Sequence, residues 1–144
     1  MTEIPVVVYG GTGYVAGELL RILAGHPSLR VAAVLSTSQA GEPVTRAFPH
    51  LQGTGADAIA FEPLDAIDRH LRPGARGLFA TPRGATAPLV EAAIAAARAR
   101  DARPAIVDLS ADLRADPFLP VRRARTRVRR GASSPIPAAS PPPP

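Results

Sequence analysis

Apolar residues arrive in short runs separated by stretches of helical period. Residues 4–9 read IPVVVY, a continuous β-branched run of the kind found in strands buried on both faces. Pro5 fits only near the start of such a strand, because it has no N–H for the ladder. From Tyr14 onward, Val15, Leu19, Ile22 and Leu23 recur at helical spacing, and Pro27 closes the segment. RVAAVL at 30–35 predicts a second strand, AIAF at 58–61 a third, GLFA at 77–80 a fourth and AIVDL at 105–109 a fifth. Residues 36–56 are rich in Ser, Thr, Gly and Pro and read as a long loop with room for a short helix. Residues 65–71 read as a short helix stopped by Pro73 and Gly74, and the Ala-rich segment 85–100 as a full one. Strands alternating with helices at this spacing predict the α/β class, a Rossmann-type doubly wound parallel sheet.

The turn after the first strand carries the clearest chemistry. Gly10-Gly11-Thr12-Gly13-Tyr14-Val15-Ala16-Gly17 lies between a predicted strand and a predicted helix, which is the context a dinucleotide fingerprint requires. It reads as G-x-G-x-x-A through Gly11, Gly13 and Ala16, or as G-x-x-G-x-x-A through Gly10, Gly13 and Ala16. In both, small residues let the backbone approach a pyrophosphate, and the free N–H groups and dipole of the helix N-terminus hold it. Ala16 or Gly17 lets the helix lie close to the sheet. The bland alternative is a plain Gly-rich turn.

The end of the second strand bears on the cofactor. An NAD site usually places Asp or Glu there for the ribose 2′-OH. Here the residues are Leu35, Ser36, Thr37, Ser38 and Gln39, with no acid. A carboxylate would repel a 2′-phosphate, whereas hydroxyls can donate to one. The expected cofactor is therefore NADP rather than NAD.

Charge is unevenly placed. Residues 1–120 hold 11 Arg against 12 Asp and Glu, while 121–144 hold 6 Arg and no acid. The net +5 thus belongs to a tail, VRRARTRVRRGASSPIPAASPPPP, whose basic and Pro-rich composition predicts disorder. We divide the chain into a nucleotide-binding domain at 1–120 and this tail at 121–144. The tail reads either as a basic arm for phosphates or as a reading-frame accident. The second fits a sequence that lacks Lys and Asn and overuses Ala, Arg, Gly and Pro, the bias of GC-rich codons. A nucleic-acid partner is not expected. No apolar run approaches the ~20 residues that span a bilayer, and the N-terminus lacks a basic signal region, so a cytoplasmic protein with no membrane partner is expected. There is no Cys, and three scattered His make no metal constellation.

Further segments resemble a known family. Gly13 to Leu20 with His26-Pro27, Ala40-Gly41 ahead of Phe48-Pro49-His50-Leu51, Ala80-Thr81-Pro82-Arg83-Gly84, and Val107-Asp108-Leu109-Ser110-Ala111-Asp112-Leu113-Arg114 occur in order. Together they resemble the N-terminal domain of N-acetyl-gamma-glutamyl-phosphate reductase, an NADPH-dependent arginine-biosynthesis enzyme of the semialdehyde-dehydrogenase type. The resemblance covers about residues 4–117.

What it implies is a reductase in which a cysteine thiolate attacks an acyl phosphate, phosphate leaves, and NADPH reduces the resulting thioester. A histidine of a second domain serves as acid and base. Neither the cysteine nor the substrate-and-dimerisation domain is recognisable here. This chain is therefore expected to carry only the cofactor part, to be inactive alone, and to meet an acyl-phosphate substrate only if a second domain is supplied. An oligomerisation surface is not expected. Carried over by position, Gly10, Gly11, Thr12, Gly13, Tyr14, Val15 and Ala16 would line the pyrophosphate turn. Ser36 and Ser38 would face the adenosine ribose, Ala80, Pro82 and Gly84 the nicotinamide side, and Ser110, Asp112 and Arg114 the substrate. Three departures stand out: Thr37 where the family usually has Arg, Arg83 where it has His, and Ala16 where it has Gly. Reductases of aminoadipyl or aspartyl phosphate share the glycine turn. A sugar-nucleotide epimerase would need a Tyr-x-x-x-Lys pair, and there is no Lys. A non-catalytic nucleotide-binding module is the remaining alternative.

Overall fold

The strand β1 (Ile4–Tyr9) occupies the middle of a five-stranded parallel sheet. On one side it pairs with β2 (Leu29–Leu35), which pairs with the two-residue β3 (Phe61–Glu62). On the other side it pairs with β4 (Arg76–Phe79), which pairs with β5 (Ala105–Asp108). The order β3-β2-β1-β4-β5 is that of the first five strands of a Rossmann-type sheet, a parallel α/β order of the kind the alternation of elements predicts. The structure is a computed structural model and describes residues 3–10, 12–81, 84–101 and 105–110. The expected disordered tail, 121–144, lies outside the described residues.

Side chains of β1 alternate between two cores. Val6 and Val8 join Val34, Phe61 and residues of α1 (Tyr14–Ala24) on one face. Val7 and Tyr9 join Ala33, Leu35 and Phe79 on the other, with residues of α3 (Ile67–His70) and α4 (Thr86–Arg98). Both faces are therefore dry, which is why the strand sequence is continuously apolar. Between β2 and β3, a four-residue α2 (Val44–Ala47) and two 3-10 turns (Pro49–Leu51 and Gly55–Ala58) give the long loop its internal order. Pro43 and Ala60 form an antiparallel bridge there.

The face of α1 differs from the one its periodicity predicts. Val15 and Ile22 are 48% and 56% exposed, and the buried residues are Ala16, Gly17, Leu20 and Leu23. The segment YVAGELLRILA is apolar around most of its circumference, so periodicity alone does not select a face. Size selects it. Phe48 lies so close to Gly17 that a Cβ there would stand 2.8 Å from two ring carbons. The first turns of the helix thus turn the small Ala16 and Gly17 inward, Leu20 and Leu23 follow on the same face, and Gly17 serves the Phe48 loop rather than the sheet. This also accounts for the Phe48-Pro49-His50-Leu51 motif: Phe48 and Leu51 are buried in the α1 core, and the exposed His50 ring meets Phe48 edge-on at 6.0 Å.

Candidate functional site

Three strand ends meet above the sheet. The loops leaving β1, β2 and β4 surround a cavity of about 450 Å³ at the carboxyl edge. Gly10, Thr12, Gly13, Tyr14 and Val15 supply its centre, Leu35, Ser36 and Thr37 one end, and Ala80, Thr81 and Ala85 the other. Leu64 and Leu89 complete the wall. Ligands of open α/β sheets bind at this edge.

The turn is shaped by Gly10. Its φ is +73°, and a Cβ would lie 2.8 Å from both the Ala80 carbonyl oxygen and the Thr81 Cα. Only glycine meets both demands. Gly10 therefore acts on the fold, allowing the β1 and β4 ends to touch. Gly13 differs. It caps α1 with φ −84° and ψ 163°, ordinary extended values, and a Cβ would meet only the Ala80 oxygen, at 4.0 Å. Its missing side chain leaves room in the cavity wall.

The N-terminus of α1 is open to an anion. Gly13 supplies no side-chain cap, and no acid occupies the first turn. The first N–H groups of a helix have no intrahelical acceptor, and together with the dipole they favour negative charge. A dinucleotide pyrophosphate fits this arrangement: a glycine with space beside it, uncapped N–H groups, and a cavity large enough for part of a cofactor.

At the end of β2, Ser36 is buried and its Oγ accepts from the N–H groups of Ser38 and Gln39, each at 3.3 Å. Both bonds use the oxygen as acceptor and leave the hydroxyl hydrogen to donate. The carboxylate of Glu62, in register with Leu35, is engaged by Arg69 at 3.4 Å and His70 at 3.0 Å.

Of the residues expected from sequence, the cavity brings together Gly10, Thr12, Gly13, Tyr14, Val15, Ser36 and Ala80. Ala16 sits in the core beneath the turn, fully buried. Ser38 is exposed and outside the cavity lining; Thr37 takes that place. Gly84 has φ +85° and also stands outside the lining, next to Ala85. Ser110 is buried, with its N–H donated to Asp108 Oδ1 at 2.7 Å. Gly11, Pro82, Asp112 and Arg114 lie outside the described residues. Sequence reasoning missed Leu64 and Leu89, apolar residues with no local signal, and the part of Thr81. The Thr81 hydroxyl is hydrogen-bonded to Thr86, whose Oγ donates to Ser110 Oγ at 2.8 Å. All three residues are buried.

The profile described as semialdehyde dehydrogenase, NAD binding domain, matches residues 5–136. The chain belongs to this family. It is 39% identical over 117 residues to N-acetyl-gamma-glutamyl-phosphate reductase of Nitrosococcus oceani, covering 81% of this chain and 32% of that protein. It is 42% identical over 113 residues to the reductase of the same name from Pseudomonas aeruginosa, covering 77% and 30%. It is 38% identical over 113 residues to a Thermomicrobium roseum protein named as a LysW-L-2-aminoadipate 6-phosphate reductase, covering 77% and 28%. The chain spans about a third of the length of these curated relatives. Membership supports a nicotinamide dinucleotide cofactor. Among the described residues, no helix is long and apolar enough to cross a membrane, and no group of three or more His, Asp or Glu is placed to hold a metal.

Proposed function

We propose that this chain is the NADP-binding part of a cytoplasmic acyl-phosphate reductase that converts N-acetyl-gamma-glutamyl phosphate to its semialdehyde in arginine biosynthesis. The observation that carries the reading is the uncapped α1 N-terminus at Gly13, opening on a cavity that ends at Ser36 and Thr37 with no carboxylate among its lining residues. Gly13 and the first N–H groups of α1 would hold the pyrophosphate. Ser36 and Thr37 would donate to the 2′-phosphate, and Ala80 and Thr81 would meet the nicotinamide. The cofactor supplies hydride; the residues of this chain bind it, orient it and wall it from water. An aminoadipyl-phosphate substrate is a second reading, favoured by the Thermomicrobium roseum relative at 38% identity. The glycine turn serves both.

Cofactor choice tests the proposal. Hydroxyl hydrogen bonds to a charged phosphate contribute ~1.5–3 kcal/mol each, about tenfold or more in affinity. NADPH is expected to bind more tightly than NADH in a fluorescence titration, and Ser36→Asp to move the preference toward NADH. Equal affinities in the parent would overturn the NADP assignment and leave the Rossmann site standing.

A further inference from the structure

The chain Thr81–Thr86–Ser110 ties together the end of β4, the start of α4 and the segment after β5. Thr86 is fully buried; Thr81 and Ser110 are 8% and 9% exposed. Its polarity follows from counting hydrogens. Thr86 Oγ1 donates its one hydrogen to Ser110 Oγ at 2.8 Å. In the bond between Thr81 and Thr86, the donor must then be Thr81. Thr81 thereby spends its only hydroxyl hydrogen inward, and its oxygen retains lone pairs alone. The Thr81 methyl is turned toward Gly10, 2.9 Å from where a Cβ would stand, so the threonine is wedged between the turn and α4.

Thr81 also forms part of the cavity wall. The sheet order places β2, β1 and β4 side by side, so their ends address three successive parts of one ligand. If the β2 end takes the adenosine side and the β1 turn the pyrophosphate, the β4 end takes the nicotinamide. A carboxamide offers one N–H₂ donor and one carbonyl acceptor, and an oxygen with lone pairs only can take the first and not the second. We propose that Thr81, held in this polarity by Thr86 and Ser110, accepts a hydrogen bond from the nicotinamide carboxamide and selects its orientation. Thr81 contacts the cofactor; Thr86 and Ser110 are positioning residues. The inference rests on the dinucleotide reading above.

The test compares three probes on the 144-residue chain by calorimetry: NADP⁺, its 3-acetylpyridine analogue, whose ketone has no N–H₂, and 2′,5′-ADP, which lacks the nicotinamide half. One neutral hydrogen bond corresponds to roughly three- to tenfold in affinity. The parent is expected to prefer NADP⁺ over the analogue by about that factor. Thr81→Val should bring the ratio close to one while 2′,5′-ADP binds as before. Thr86→Val releases the Thr81 hydrogen and should also erase or invert the ratio, whereas Thr86→Ser keeps the hydroxyl chain and the parental ratio. A parental ratio near one, or a ratio unchanged in Thr81→Val, overturns the proposal. If Thr86→Val does not fold, the Thr81→Val ratio decides alone. If the parent binds NADP⁺ and 2′,5′-ADP but shows no discrimination, only this inference fails. If it binds none of the three, the dinucleotide reading fails with it.

Discussion

Tyr9 and Phe79 lie face to face, their ring centroids 4.1 Å apart and their planes 12° from parallel. They are register partners on neighbouring strands, and the next residue on each is Gly10 and Ala80. The stack is therefore the floor on which the glycine turn rests. Its weak point is the Tyr9 hydroxyl, which is buried with no hydrogen-bond partner among the described residues. Burial first, and the Asp68 carboxylate second, push the phenol well above its ordinary value. The folded state thus holds this proton more tightly than the unfolded one. The stability contributed is full below the ordinary phenol value of about 10 and is lost as pH rises above it toward the folded value. Tyr9→Phe keeps the stack and removes the orphaned hydroxyl. It should raise stability by about 1 kcal/mol and flatten the alkaline loss. Denaturant unfolding of both proteins from pH 8 to 11 checks this; a destabilised Phe variant with an unchanged alkaline slope would contradict it.

Gly10 and Gly13 should separate cleanly. Gly10→Ala places a Cβ against backbone at φ +73° and is expected to cost at least ~1–3 kcal/mol of stability. Gly13→Val meets no such obstacle in the fold, yet its side chain would occupy the room beside the α1 N-terminus. It should leave the circular dichroism spectrum intact and abolish NADPH binding. A Gly13→Val protein that binds NADPH like the parent would make the turn merely structural.

Gly17→Ala drives a Cβ to 2.8 Å from the Phe48 ring, an overpacking expected to cost about 1–3 kcal/mol. In a Phe48→Leu background most of that cost should vanish, because the obstacle is the ring itself. Additive losses in the double mutant would show that the helix is not pressed against Phe48.

The elements were legible where one force set them. β1, β4 and β5 are short apolar runs bounded by Gly, Pro or a helix, and the Ala-rich α4 was placed to within two residues. The β3 strand, expected at 58–61, begins only at Phe61, because the backbone before it pairs with the loop instead: Ile59 O accepts from the Val44 N–H and the Phe61 N–H donates to Glu42 O, around the Pro43–Ala60 bridge. The face of α1 was not legible, since it depends on the distant Phe48. In the site, the contiguous turn was readable from Gly10 and Gly13, and Ser36 from its place at the end of the second strand. Thr81, Leu64 and Leu89 were not, because a cavity assembled from separate loops leaves no spacing in the sequence.

Reductase chemistry of the implied kind needs a thiolate, and this 144-residue chain contains no Cys. NADPH oxidation with N-acetyl-gamma-glutamyl phosphate and the chain alone should stay at the background rate. Turnover above it would rule out the thioester route for this protein.

The most direct test is an amide NMR titration of the chain with NADPH. The account predicts saturable shifts at Gly10, Thr12, Gly13, Val15, Ser36, Thr37, Thr81 and Ala85, the residues that surround the cavity. It would be contradicted by an unchanged spectrum, or by shifts confined to the separate hollow formed by Leu20, Leu23, Arg30 and Ala56.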